Sequence, residues 1–121
     1  MSRKTMDVTV VLIAAAGISG CSKHVTYANI APILQQRCAE CHTPGKEGTL
    51  KSGFSVESYE TVMKGTKFGP VIEKGSAESS SLYRLVAGET DPSIQMPHGK
   101  ASLTNDQIKT IATWIDQGAV K

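Results

Sequence analysis

The segment Cys38-Ala39-Glu40-Cys41-His42 places two thiols three positions apart and an imidazole directly after the second. Two cysteines at this spacing can form a disulfide, act as a redox-active dithiol, bind zinc or attach a haem. A disulfide would close only a small loop and would leave His42 without a role. A redox-active dithiol belongs in a β-α-β setting, and the flanking sequence predicts no strands. Zinc needs four ligands, and only His24 and His98 are available beyond this segment.

Covalent attachment of haem c uses all three side chains of this motif. Residues three apart lie on one side of a helical turn, so Cys38 and Cys41 can reach the two vinyl groups of one porphyrin. His42 would then coordinate the iron from one side. Thioether bonds would also keep both thiols from pairing in an oxidising compartment. We therefore predict one covalent haem c held by Cys38, Cys41 and His42.

The second axial ligand of the iron is predicted to be Met96. This methionine lies in an irregular stretch between Pro92 and Gly99, where a loop can lay a thioether across a porphyrin face. The following proline, Pro97, restricts the backbone of Met96 to extended conformations. Met63 instead recurs with apolar neighbours at helical spacing, which predicts core packing. His98, two residues beyond Met96, is the competing ligand, and a second imidazole would give a lower reduction potential than a thioether.

The N-terminal residues 1–20 have the pattern of an export signal. Arg3 and Lys4 precede an uncharged apolar run over 8–18, which is too short for a membrane span of about 20 residues. The run ends in Ile-Ser-Gly-Cys, which resembles the bacterial lipoprotein signal and predicts lipid attachment at Cys21. Residues 21–26 would then form a tether and 27–121 the folded domain. We expect a periplasmic, lipid-anchored protein, and Ser22 after the lipid cysteine favours the outer membrane.

The rest of the chain predicts an all-α fold of about four helices wrapped around one haem. The first helix should begin around 29–31 because Pro32 is tolerated only near a helix start. The segment 43–53 is glycine-rich and predicts a loop, and Ser55 should cap a second helix that ends at Gly65. Further helices are predicted between Ser80 or Ser81 and Gly88, and after a capping box of Thr104 and Gln107. The last helix carries an apolar stripe on one face, formed by Ile108, Ile111, Ala112 and Ile115.

Five segments together resemble the small planctomycete-type c-type cytochromes, a branch near class I, here in a lipoprotein form. They read IAPILQQRCAECH, FSVESYETVMKG, SSLYRLVAG, MP and LTNDQIKTIATWIDQGA, and they cover most of residues 27–119. The resemblance implies haem thioethers at Cys38 and Cys41, His42 and Met96 as axial ligands, and a crossing of the first and last helices. One departure is that His98 stands where family members often have a second proline.

The expected function is one-electron transfer between respiratory redox partners, which are respiratory complexes or dehydrogenases. An iron with two protein ligands has no open site for substrate, so we expect an electron carrier and not an enzyme. The alternative is a haem-based peroxidase or a gas-binding sensor in which Met96 dissociates, and binding of carbon monoxide separates the two. The net charge of +2 and the lack of a basic stripe interleaved with aromatic residues predict no binding to nucleic acid. The expected partners are therefore redox proteins and, through the lipid, a membrane.

Overall fold

The structure, a computed structural model, describes Gly17 and residues 20–121. The predicted signal peptide, residues 1–20, lies outside this part of the chain except for Gly17 and Gly20. The described residues form helices α1 (Tyr27–Arg37), α2 (Glu47–Ser52), α3 (Tyr59–Lys64), α4 (Ser81–Ala87) and α5 (Asn105–Asp116). The residues from 20 to 121 contain no strand beyond an isolated bridge between Thr66 and Gly69. The all-α prediction is confirmed, with one helix more than expected.

The core lies where α5 packs against α1 and α4. Trp114 is fully buried there, together with Ile30 and Leu34 of α1 and Ile111 and Ile115 of α5. The indole N–H of Trp114 donates to the carbonyl of Val120 at 2.8 Å, which satisfies its one polar group inside the core. This contact between the first and last helices matches the pairing that the family resemblance implies.

Helix α1 begins at Tyr27, earlier than the predicted start at 29–31, so that boundary was wrong. The N–H of Thr26 donates to the side chain of Asn29, and the N–H of Tyr27 donates to the carbonyl of Val120 at 3.0 Å. These two bonds fix the first turn ahead of Pro32. The proline lies inside the helix on its exposed side, where its ring meets solvent and not the core.

One further helix and one cap residue also differ from the prediction. The segment 43–53, predicted as a loop, contains α2, which ends at Gly53 in the left-handed conformation (φ 78°). Helix α3 is capped by Ser58, whose hydroxyl accepts the N–H of Thr61 at 3.2 Å, and not by Ser55. The predicted ends of α4 at Ser80 and Gly88 and the capping box of α5 are confirmed.

The predicted tether, residues 21–26, runs along the end of α5. Val25 is buried, and its N–H donates to the side-chain oxygen of Gln117 at 2.7 Å. The side-chain amide of Gln117 donates in turn to the carbonyl of Lys23 at 3.0 Å. Only Ser22 therefore separates Cys21, the predicted lipid site, from Lys23, whose carbonyl is hydrogen-bonded to the domain. Within residues 20–121, no helix has the length and apolar character needed to cross a bilayer.

Candidate functional site

The predicted haem residues come together around one cavity of about 370 Å³. Cys38, Cys41, His42 and Met96 all line it, although Met96 is 54 residues beyond His42 in the chain. This volume lies within the range of about 300–1,000 Å³ that is usual for cofactor sites. His98 lines the same cavity, whereas His24 and Met63 do not. Met63 packs against the core, as predicted.

The motif segment continues from the C-terminal end of α1 as two tight turns. The N–H groups of Cys41 and His42 both donate to the carbonyl of Cys38, at 3.1 and 2.9 Å. The carbonyl of His42 accepts the N–H of Val56 at 2.8 Å, so the backbone of the histidine is fixed on both sides. Both motif cysteines are free thiols, and Cys38 is the more buried of the two. Burial raises the pKa of the Cys38 thiol to about 11, against the opposing charge of Arg37.

The His42 ring is held between α2 and Phe54. Its ring lies edge-on to the Phe54 ring, with the centroids 5.4 Å apart. Burial lowers the pKa of His42, and the backbone of Phe54 opposes the shift. The neutral imidazole that burial favours is the form that binds a metal ion. Its Nδ1 atom is buried without a hydrogen-bond partner among the described residues.

Gly48 of α2 lies directly against His42, and the sequence pattern gave no sign of it. A Cβ atom at this position would come within 2.6 Å of the Cys41 carbonyl oxygen and 2.8 Å of Cε1 in the His42 ring. The N–H of the next residue, Thr49, donates to that same Cys41 carbonyl at 3.1 Å. Helix α2 therefore supports the motif from behind, and only glycine allows the close approach.

Gly48→Ala is expected to destabilise the protein, although alanine is normally better than glycine in a helix by about 1 kcal/mol. The added methyl group has to displace backbone or the His42 ring, and overpacking of this kind costs about 1–3 kcal/mol. Denaturant unfolding of the purified protein measures the difference in stability. Leu50→Ala on the same helix is the control, because Leu50 is 71% exposed. A Gly48→Ala protein more stable than the wild type would contradict this packing.

Met96 is positioned by a loop that is tied down at both ends. Its own N–H donates to the carbonyl of Leu85 in α4 at 3.2 Å, and Leu103 is buried at the other end. Between these points, Arg37 donates to the carbonyls of Ala101 and Ser102. An exposed ion pair joins Lys100 to Glu40, the residue just before Cys41, and it lowers the pKa of the Glu40 carboxyl. The sequence pattern predicted none of these ties.

These residues fit a covalently attached haem. The site brings two free thiols, the half-buried His42 imidazole and the Met96 thioether together on one cavity. A second cavity of about 490 Å³ lies beside it and shares Arg37, Glu40, Pro97 and Lys100, but none of the predicted haem residues. Among residues 20–121, no group of three or more His, Cys, Asp or Glu side chains is arranged to hold a metal ion.

Comparison with protein families gives one match. The model of the family described as planctomycete cytochrome c matches residues 38–98, which is half of the chain. The match begins at the first motif cysteine and ends just beyond Met96, at His98. No curated protein and no solved structure matches the chain with significance. The chain therefore belongs to the planctomycete cytochrome c family.

Proposed function

We propose that this cytochrome carries single electrons between redox proteins in the periplasm while a lipid on Cys21 holds it to the membrane. Family membership supports a haem-based electron-transfer role in general. The observation that carries the finer proposal is the single cavity shared by Cys38, Cys41, His42 and Met96. When bound there, the haem supplies an iron that alternates between the ferrous and ferric states.

The chain's own residues would provide attachment, ligation and exclusion of other ligands. Cys38 and Cys41 would hold the porphyrin through thioethers, and His42 and Met96 would fill both axial positions of the iron. With both positions filled, oxygen and peroxide have no site to bind, which favours electron transfer over catalysis. A thioether opposite an imidazole also raises the reduction potential relative to two imidazoles.

The surface beside the cavity supports brief contacts with partner proteins. Ser52 lines the cavity and its carbonyl accepts the N–H of Lys67 at 2.9 Å, which fixes the turn that carries Phe68. The Phe68 side chain is 86% exposed, and the Lys67 ammonium lies 5.3 Å from its ring centroid. Leu50, on the helix that forms one wall of the cavity, is also exposed. Small interfaces with exposed apolar groups suit weak redox encounters.

The anchoring part of the proposal is supported by the position of Cys21. This cysteine is exposed and free, two residues before the point where Gln117 holds Lys23. Several acyl chains on one residue give stable membrane attachment. With so short a free segment, the lipid would keep the end of α5 near the membrane surface. Helix α1 is 11 residues long and leads from this end of the domain to the haem motif. At a rise of about 1.5 Å per residue it separates the two by roughly 16 Å.

Absorbance spectra of the purified, matured protein with and without carbon monoxide test this proposal. We expect the bands of haem c in the reduced form and no change when carbon monoxide is added to the ferrous protein. Rapid binding of carbon monoxide would instead support the alternative of a peroxidase or gas sensor with a displaceable Met96. A colourless protein would contradict both readings. Release of the protein from membranes after replacing Cys21 with serine tests the anchor separately.

A further inference from the structure

We infer that Arg37 is a positioning residue that holds the Met96 loop against the haem motif and so keeps Met96 in reach of the iron. The inference rests on the proposed function, because it concerns the ligand that would close the sixth position. Arg37 is the last residue of α1 and directly precedes Cys38. It therefore joins the segment that would hold one face of the haem to the segment that would cover the other.

The contact is made by one guanidinium nitrogen. Nη2 of Arg37 donates to the carbonyl oxygen of Ala101 at 2.5 Å and to that of Ser102 at 3.1 Å. These carbonyls follow Met96 by five and six residues and lie 64 and 65 residues beyond Arg37 in the chain. Hydrogen bonds from a charged donor are stronger than neutral ones, and solvent reduces this difference at an exposed site such as this one.

Few other contacts hold this part of the loop. Residues 98–102 are exposed, and the loop's own backbone bond from Lys100 to Pro97 is long, at 3.4 Å. The remaining tie is the Glu40–Lys100 ion pair, whose side chains are 75% and 44% exposed. Ion pairs this exposed contribute little. Removal of Arg37 would therefore leave the Met96 loop held mainly by the Met96 N–H and by buried Leu103.

Arginine suits this role better than lysine. Its planar guanidinium presents several donors in a fixed geometry, whereas an ammonium is a single point on a flexible chain. No carboxylate pairs with Arg37 among the ion pairs of the described residues, so its charge is used on the two carbonyls. Its place in the last turn of α1 also complements the negative end of the helix. Both bonds come from the single Nη2 atom, so an ammonium could also donate to the two carbonyls, but its flexible stem would hold it there less firmly.

Arg37→Gln and Arg37→Lys test the inference in the haem-loaded, full-length protein. With a charge-assisted bond lost, we expect dissociation of Met96 from the iron to become about tenfold more favourable in Arg37→Gln, so that the ferrous variant binds carbon monoxide where the wild type does not. Arg37→Lys should fall between this variant and the wild type. The absorbance band of methionine bound to ferric iron should weaken in the same order. Arg84→Gln, an exposed arginine on α4 that lines neither cavity, is the matched control.

Hydrogen exchange separates a local role from a general one and does not require haem. In Arg37→Gln, exchange should accelerate at the hydrogen-bonded backbone N–H groups of Met96 and Lys100 and stay unchanged in α5. Exchange that rises equally in α5 would overturn the inference, because Arg37 would then stabilise the whole domain. An Arg37→Gln protein that fails to bind carbon monoxide, as expected of the wild type, would also overturn it. If the wild type carried no haem, the proposed function would fail, and exchange at the Met96 and Lys100 N–H groups would still decide whether Arg37 restrains the loop.

Discussion

Replacing both Cys38 and Cys41 with serine is expected to abolish covalent haem attachment completely. Serine keeps nearly the same shape but forms no thioether, so any porphyrin would be held only by coordination and cavity contacts. Haem should then be extracted fully by acidified acetone, and the protein band should lose its haem stain in a denaturing gel. Either single replacement should leave one thioether and keep the stain. Covalent haem should therefore be lost only in the double variant, and it should be lost there completely.

Cys21→Ser is the matched control for this experiment. Cys21 is also a free thiol, but it is exposed and does not line the cavity. This variant should keep its covalent haem and instead lose attachment to membranes. Covalent haem that survives in the Cys38→Ser, Cys41→Ser protein would contradict the assignment, since no other cysteine lines the cavity. Loss of haem from Cys21→Ser would contradict it as well.

Helices with strong local signals could be predicted from the sequence. The capping box of Thr104 and Gln107 and the apolar spacing of α5 gave its start and its buried face. The pair Ser80 and Gly88 gave both ends of α4. In each case the signal lies within a few residues of the feature it predicts, so no tertiary contact was needed.

The features that were missed depend on contacts between distant segments. Helix α2 is short and has no buried residue, so it shows no apolar period; its place is set by the close contact of Gly48 with Cys41 and His42. The early start of α1 depends partly on a bond to Val120, at the other end of the chain. In the sequence, Arg37 resembles an ordinary surface charge. Its contact with the carbonyls of Ala101 and Ser102 arises only in the folded chain.

The candidate site divides in the same way. The residue types of the site follow from chemistry that the sequence displays, because thiols three apart with a following histidine have few uses. The contacts that hold these residues do not follow from the sequence. The packing of α2 against His42 and the restraint of the Met96 loop arise only in three dimensions. Sequence therefore names the groups that would touch the haem, and the fold explains how they are held.

Replacing Met96 with alanine is expected to open the iron to external ligands. Alanine has no donor atom, so the sixth position would pass to water or to a small ligand. Carbon monoxide should bind rapidly to the ferrous variant, against no binding in the wild type. The reduction potential should fall, because a thioether opposite histidine raises it. Met63→Ala is the matched control, since Met63 packs against the core and does not line the cavity. It should lose stability and still exclude carbon monoxide.

His98 determines how the Met96→Ala result is interpreted. It is exposed on the rim of the same cavity, two residues from Met96, and its imidazole is a stronger iron ligand than a thioether. If His98 moves onto the iron, Met96→Ala alone would stay closed to carbon monoxide and show a lowered potential. The double variant Met96→Ala, His98→Ala would then bind carbon monoxide. Two variants that both kept the wild-type spectrum and potential would mean that the sixth ligand comes from another part of the chain. If Met96→Ala alone binds carbon monoxide, His98 cannot reach the iron, because an imidazole within reach would compete with carbon monoxide.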